Sequence, residues 1–236
     1  MADNIVKMKG SESEKKNLSG EQKLGDFLSK NSKVLAGVLG AVIVAIVAYV
    51  VYFNVSASLV RKGLDKIEVI EYSFTKDAST IDDSELASRQ DTALKNVAPY
   101  LNKGGIVGAR ANMLAADIYG QKKDWQASKD AWLKAASKRK GSYIEPLCDF
   151  NAAAACEELG QSQEALALYE KVAADKSFVD RSRAYFNAGR LKEAAGDFEG
   201  AQSAYKAIAD LGYSNDSWSD LAKTRLLDLE NQGKIK

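Results

Sequence analysis

Apolar and polar positions along this chain follow two different regimes. Residues 34 to 53, VLAGVLGAVIVAIVAYVVYF, run without one charge, and from about residue 55 onward apolar residues recur on a helical period. A helix over the uncharged run is about 30 Å long at about 1.5 Å per residue, the thickness of a bilayer's hydrocarbon core. Its backbone donors are satisfied internally, so the run predicts a transmembrane helix at 34 to 53. Tyr49, Tyr52 and Phe53 gather at its far end, where amphipathic rings favour the membrane interface. Beyond it, Leu59, Leu64, Ile67, Ile70 and Phe74 predict a helix continuing from the span. After a loop at 75 to 82, Asp83 or Ser84 is the expected cap of a helix bearing Leu86, Leu94, Val97 and Leu101, ended or bent by Pro99. At the other end, Tyr213 to Asp216 predicts a turn and cap. Trp218, Leu221, Leu226, Leu227 and Leu229 then mark a last helix sealing the apolar face before it.

The flanks of the span set its orientation. Lys15, Lys16, Lys23, Lys30 and Lys33 precede it, against Arg61, Lys62 and Lys66 in the equal stretch after it. The positive-inside bias places the N-terminus in the cytoplasm and residues 54 to 236 outside. A cleaved secretory signal is the rival, since Val55-Ser56-Ala57 offers small residues to a peptidase. The apolar core is longer than the 7–15 residues of a signal, and the head before it is too long. Gly37, Ala41 and Ala45 repeat at four-residue spacing, a small-residue stripe suited to packing against another membrane helix. The tail from 1 to 30 is polar and mixed in charge and is expected to be disordered, apart from one amphipathic turn at Leu24, Phe27 and Leu28.

The rest of the chain repeats itself. Phe150-Asn151-Ala152-Ala153 aligns with Phe186-Asn187-Ala188-Gly189, Gly160 with Gly196, Ala165 with Ala201 and Tyr169 with Tyr205. One copy earlier, Ala115-Ala116, Trp125, Ser128 and Trp132 stand in the same frame, and the copies are offset by 37 and then 36 residues. Each copy reads as a helix with small residues on one side, a polar turn and a second helix. Ala115, Ala152 and Ala188 permit close approach, and Trp132, Tyr169 and Tyr205 fill the adjoining gap. Gly160 and Gly196 suit the positive φ that ends a helix. One such pair cannot bury its own apolar stripe, so the copies must stack.

This pattern resembles the tetratricopeptide repeat over residues 109 to 212. It departs at Lys123, where glycine is usual, at Ser162, where an aromatic is, and in lacking the closing proline. The expected fold is therefore all-α, a transmembrane helix followed by a tetratricopeptide-like solenoid with a C-terminal capping helix. The expected layout is a cytoplasmic tail at 1–33, the span at 34–53, a linker helix and degenerate first pair at 54–108, three repeats at 109–212, and a capping helix and tail at 213–236. That order resembles the YfgM-type proteins, single-span inner-membrane proteins with a periplasmic tetratricopeptide domain, with local likeness at Gly105-Ile106-Val107-Gly108-Ala109-Arg110. The resemblance implies an accessory role at the Sec translocon, with Sec subunits and periplasmic chaperones or their clients as partners.

Chemistry narrows the function classes. The chain has 33 basic and 32 acidic residues, and seven and five of these lie before residue 34. The outer part is nearly neutral and offers no basic face for nucleic acid. There is no histidine, which removes the commonest general base and most zinc sites. Glu157-Glu158 and Asp82-Asp83 read as a solvated helix face and a cap. Cys148 and Cys156 sit eight residues apart in one helix, about 12 Å of rise, too far to bridge. An enzyme and a bound cofactor are not expected.

What remains is binding of other proteins. Asn151 and Asn187 occupy equivalent places on the first helices, and the repeat resemblance implies amides there that bond a bound peptide's backbone. Arg110, Arg183 and Arg190 stand on nearby turns as candidates for holding a carboxylate. Met113, Phe150 and Phe186 are candidates for the groove's apolar floor. The alternatives are solvated Asn and Arg, with Phe150 and Phe186 in the inter-repeat core. The sequence thus predicts a membrane-anchored interaction scaffold, and its alternative is a structural bridge in envelope assembly or cell division.

Overall fold

A computed structural model describes residues 20–212 and 217–236, and every regular element among them is helical. The expected turn and cap at 213 to 216, and the tail before residue 20, lie outside the described residues. The chain divides into two units, residues 1–57 and 58–236.

In the first unit, α1 (Gly20–Lys30) is followed after Asn31 by α2 (Ser32–Thr75), whose residues from 58 onward belong to the second unit. The expected disorder thus does not extend to residues 20–30: Leu24, Phe27 and Leu28 lie on α1 and are exposed. Helical bonding is nearly continuous here, because the Asn31 N–H and the Leu35 N–H both find carbonyls four residues back, at 3.0 and 2.8 Å. The uncharged part of α2 is long and apolar enough to cross a membrane, and none of it is buried against protein. Tyr49 and Phe53 stack at 6.3 Å, and Asn54 turns its amide back onto the Val50 carbonyl at 2.8 Å. Gly37 has no protein atom within 4 Å of where a side chain would begin.

The second unit starts with the end of α2. Its Ile67, Ile70 and Phe74 are buried with Ala93 and Val97 of α3 (Asp83–Val97) and with Val107 and Leu114 of α4 (Gly105–Gln121). Leu59, counted above among the apolar face, is 64% exposed. The cap of α3 is Asp82 rather than Asp83 or Ser84: its carboxylate accepts from the Glu85 N–H at 2.8 Å, the N3 position such a cap serves. Pro99 ends α3 by tightening the chain into a 3-10 turn, Ala98–Tyr100.

From α4 onward the architecture repeats. α4 pairs with α5 (Trp125–Lys138), α6 (Ile144–Glu158) with α7 (Ser162–Ala174), and α8 (Arg181–Ala194) with α9 (Phe198–Asp210), and α10 (Ser217–Asn231) closes the stack. Four buried clusters follow one another along it, three joining successive helix pairs and the last joining α9 to α10, as expected when no pair can bury its face alone. Small residues set the spacing within pairs. Ala115, Ala152 and Ala188 are fully covered, and Trp132, Tyr169 and Tyr205 fill the space they leave. At Gly189 even one methyl group would meet the Tyr205 ring at 2.6 Å.

Gly160 and Gly196 end their helices at φ 71° and 81°. Lys123, at the same place in the first copy, adopts φ 60° without being a glycine. The last helix seals the stack with fewer of its leucines than its composition promised. Ala222 and Leu229 are buried and Trp218 meets Phe186, but Leu221 and Leu227 face outward. Nine residues at about 100° each place Leu227 on the side of the helix opposite Trp218.

Candidate functional site

The repeat frame puts the predicted residues in register on the first helices of the pairs. Arg110, Leu147 and Arg183 are equivalent, as are Met113, Phe150 and Phe186, and Asp117, Ala154 and Arg190. Between α6 and α8 four of them, Leu147, Phe150, Ala154 and Arg183, open onto a hollow of about 380 Å³, lined also by Tyr143, Asn151, Phe178 and Val179 among others. Tyr143 and Val179 project into solvent at its rim. Asn151 donates its amide to the Leu147 carbonyl at 2.9 Å, a bond within its own helix that leaves the side-chain oxygen, itself an acceptor, outside that bond. Arg183 lies over the Phe150 ring at 4.9 Å and the Trp218 ring at 5.6 Å, a guanidinium held between two aromatic faces.

The remaining candidates are placed elsewhere. Phe150 is at once the wall of this hollow and a buried part of the inter-repeat core, in contact with Tyr169 and Phe178 rings at 5.2 and 5.5 Å. Phe186 is half-buried between Tyr205 and Trp218, and Met113 packs partly buried against the α4–α5–α6 cluster. Asn187 is half-buried on α8, one repeat beyond Asn151. Two of the arginines are committed to the protein itself. Arg110 pairs with Glu71 at 3.0 Å, and Arg190 donates to both oxygens of Glu157 at 2.7–2.8 Å.

That second pair belongs to a unit the sequence reading missed. The Glu157 carboxylate also accepts from the Tyr169 hydroxyl at 2.8 Å, and 36 residues on, Glu193 accepts from Tyr205 at 3.0 Å and from Arg225 of α10. Each tyrosine comes from the second helix of the carboxylate's own pair, and each arginine from the next first helix. Burial, then the hydrogen bond to the carboxylate, drives the Tyr205 hydroxyl up to about 12 and moves Tyr169 the same way. The first copy has Gly120 and Trp132 at the corresponding positions and forms no such junction. The signal was present as Glu and Tyr twelve residues apart in two copies, but the glutamates alone look like any wet helix face.

Asp117 is the other unusual carboxyl. Although solvent reaches it, surrounding helices displace much of its water, and its pKa rises to about 6, burial first and the Glu71 charge second, against the pull of Arg110. Both cysteines are free and buried. Loss of hydration raises Cys148 to about 12 and Cys156 to about 11, so neither is a reactive thiol at neutral pH.

This geometry is one of helix pairs, a lined hollow and polar junctions, with no catalytic constellation among the described residues. No family model matches the chain. A curated relative in Treponema pallidum (strain Nichols) matches it at 29% identity over 153 residues, 64% of this chain and 64% of that protein. The relative is a TPR repeat-containing protein. The chain is thus similar, over the larger part of its length, to a protein that contains the repeat which residues 109 to 212 resemble.

Proposed function

We propose that this chain is a membrane-held interaction scaffold whose repeats take an extended peptide or a helix from a protein client. The hollow between α6 and α8 carries this reading. It offers apolar walls, the amide oxygen of Asn151 as an acceptor for a backbone N–H, and in Arg183 a cation for a carboxylate. The similarity to a TPR repeat-containing protein supports the same class, and an uncharged helix long enough to cross a bilayer supports the anchoring. With the N-terminus inside, the repeats stand on the outer side of the cytoplasmic membrane, in the periplasm if a second membrane encloses it. In its more specific form the role is that of a Sec translocon accessory passing exported clients to periplasmic chaperones. Anchoring raises the effective concentration of the second contact, so a shallow hollow suffices.

The test is crosslinking in intact membranes followed by capture, with the tagged full chain beside a variant carrying N151A, N187A and R183A. Translocon subunits with both proteins, and exported clients with the parent alone, are the expected result. Equal client capture by both proteins overturns the role of the hollow. Division or outer-membrane assembly factors in place of translocon subunits replace the translocon role with a bridging one.

A further inference from the structure

The cation of the α6–α8 hollow is held differently from the other arginines of the first helices. Arg110, at the equivalent register, is taken up by Glu71, and Arg190, two turns further along α8, by Glu157. Arg183 is exposed and makes no hydrogen bond or ion pair among the described residues. Two rings hold it instead, Phe150 of α6 at 4.9 Å and Trp218 of α10 at 5.6 Å, both within cation–π range.

Trp218 comes from beyond the repeats. It lies outside the lining of the hollow and on the closing helix. Register explains its reach: Arg225 follows Arg190 by 35 residues, each completing a junction, and Trp218 follows Arg183 by the same number. Trp218 thus continues the row of Leu147 and Arg183 onto α10. The buried residues of α10 are Ala222 and Leu229, whereas Trp218 is half-buried, its ring set against Phe186 with centroids 5.3 Å apart.

An exposed arginine samples many rotamers, and most of them carry its charge away from any one place. Aromatic faces narrow that choice, because each attracts the cation and the planar guanidinium stacks on them. Stacking leaves the N–H donors at the edge of the plane uncovered, and those are the ones a carboxylate takes in pairs. A cation ordered before its ligand arrives spares binding the cost of ordering it. Asp180 is the other charged side chain lining the hollow, so its preference for an anion depends on where the guanidinium is held.

We propose that Trp218 is a positioning residue of this hollow. Its ring fixes the Arg183 guanidinium beside Phe150, so that the site spans α6, α8 and α10 and selects a client segment bearing a carboxylate next to an aromatic side chain. The proposal rests on the reading of the hollow given above.

The intact chain in detergent is dialysed to equilibrium against N-acetylphenylalanine or its amide, which differ only in the carboxylate, with uptake by empty micelles subtracted. The parent should hold the carboxylate tighter than the amide by about four-fold or more. W218L and W218M keep an apolar side chain without the ring. In whichever of them retains the parent's helical spectrum, that preference should fall to near one with the amide's affinity unchanged. W218F restores a ring and should recover at least half of the preference. A preference that survives without the ring, an equal loss of both probes, or no recovery in W218F overturns the positioning role and leaves Trp218 as packing alone. Failure of the hollow itself looks different. A parent that binds neither probe, or an A154W variant, filled from an exposed position, that binds both as the parent does, ends the reading of the hollow and this proposal with it.

Discussion

At the residue scale, Lys123 occupies the left-handed conformation that Gly160 and Gly196 take in the later copies. A side chain there costs on the order of 1 kcal/mol, and glycine recovers most of it while giving back some entropy in the unfolded chain. K123G is expected to stabilise the repeats by about 0.5 kcal/mol, and G160K to destabilise them by about 1 kcal/mol, both measured by urea unfolding. Asp117 acts in a pH-dependent way. Its folded pKa, about 6, lies above the ordinary 3.8, so the native chain binds the proton more tightly than the unfolded one. Its favourable contribution is present below about pH 4 and is lost as pH rises through 6. D117N should match the parent near pH 4 and exceed it by about 1 kcal/mol at pH 7.5, a figure reduced for the solvent that reaches the group. Equal urea midpoints for both proteins at pH 7.5 would remove this account.

At the scale of the element, each junction of glutamate, tyrosine and arginine ties two helices of one pair to the first helix of the next. The carboxylates are mostly covered, Glu157 22% and Glu193 15% exposed, so their charges are screened less than a surface pair's. Y205F should cost about 1 kcal/mol, R225A about the same, and the double variant less than their sum by about 0.5 kcal/mol or more, because the two donors share one acceptor. Additive effects would show that the groups act separately. The helix pairs themselves were legible in the sequence because Ala115, Ala152 and Ala188 and their aromatic partners recur on a fixed period. The junctions were not, since a glutamate's partners depend on which helix lies across from it. Phe150 shows the same limit: its register named it as groove floor, but only packing shows that one ring serves both hollow and core.

At the scale of the whole molecule, the uncharged run and the stacked pairs could be read directly, the first from the absence of charge and the second from periodicity. The site was only half legible. Asn151 and Arg183 do meet at one hollow, whereas Arg110 and Arg190 are taken up by Glu71 and Glu157, a choice made in space rather than along the chain. In a stack, each pair is held by its neighbours, so the last depends on α10 for the cover of Tyr205 and Ile208 and for the cation on Glu193. Ending the chain at Gly212 should therefore loosen α8 and α9 first. Hydrogen exchange should show their amides losing at least ten-fold in protection while those of α4 and α5 change little. Uniform loss along all helices would mean that the stack unfolds as one body.

Cys148 and Cys156 carry one last consequence. Each thiol is enclosed within the repeat core, is held protonated, and has no partner to oxidise with. No covalent crosslink contributes to the fold, so its maturation calls for no thiol oxidase and no isomerase. The same native state is available in a reducing or an oxidising compartment, and the chain's abundance should not change when the machinery of disulfide formation is removed.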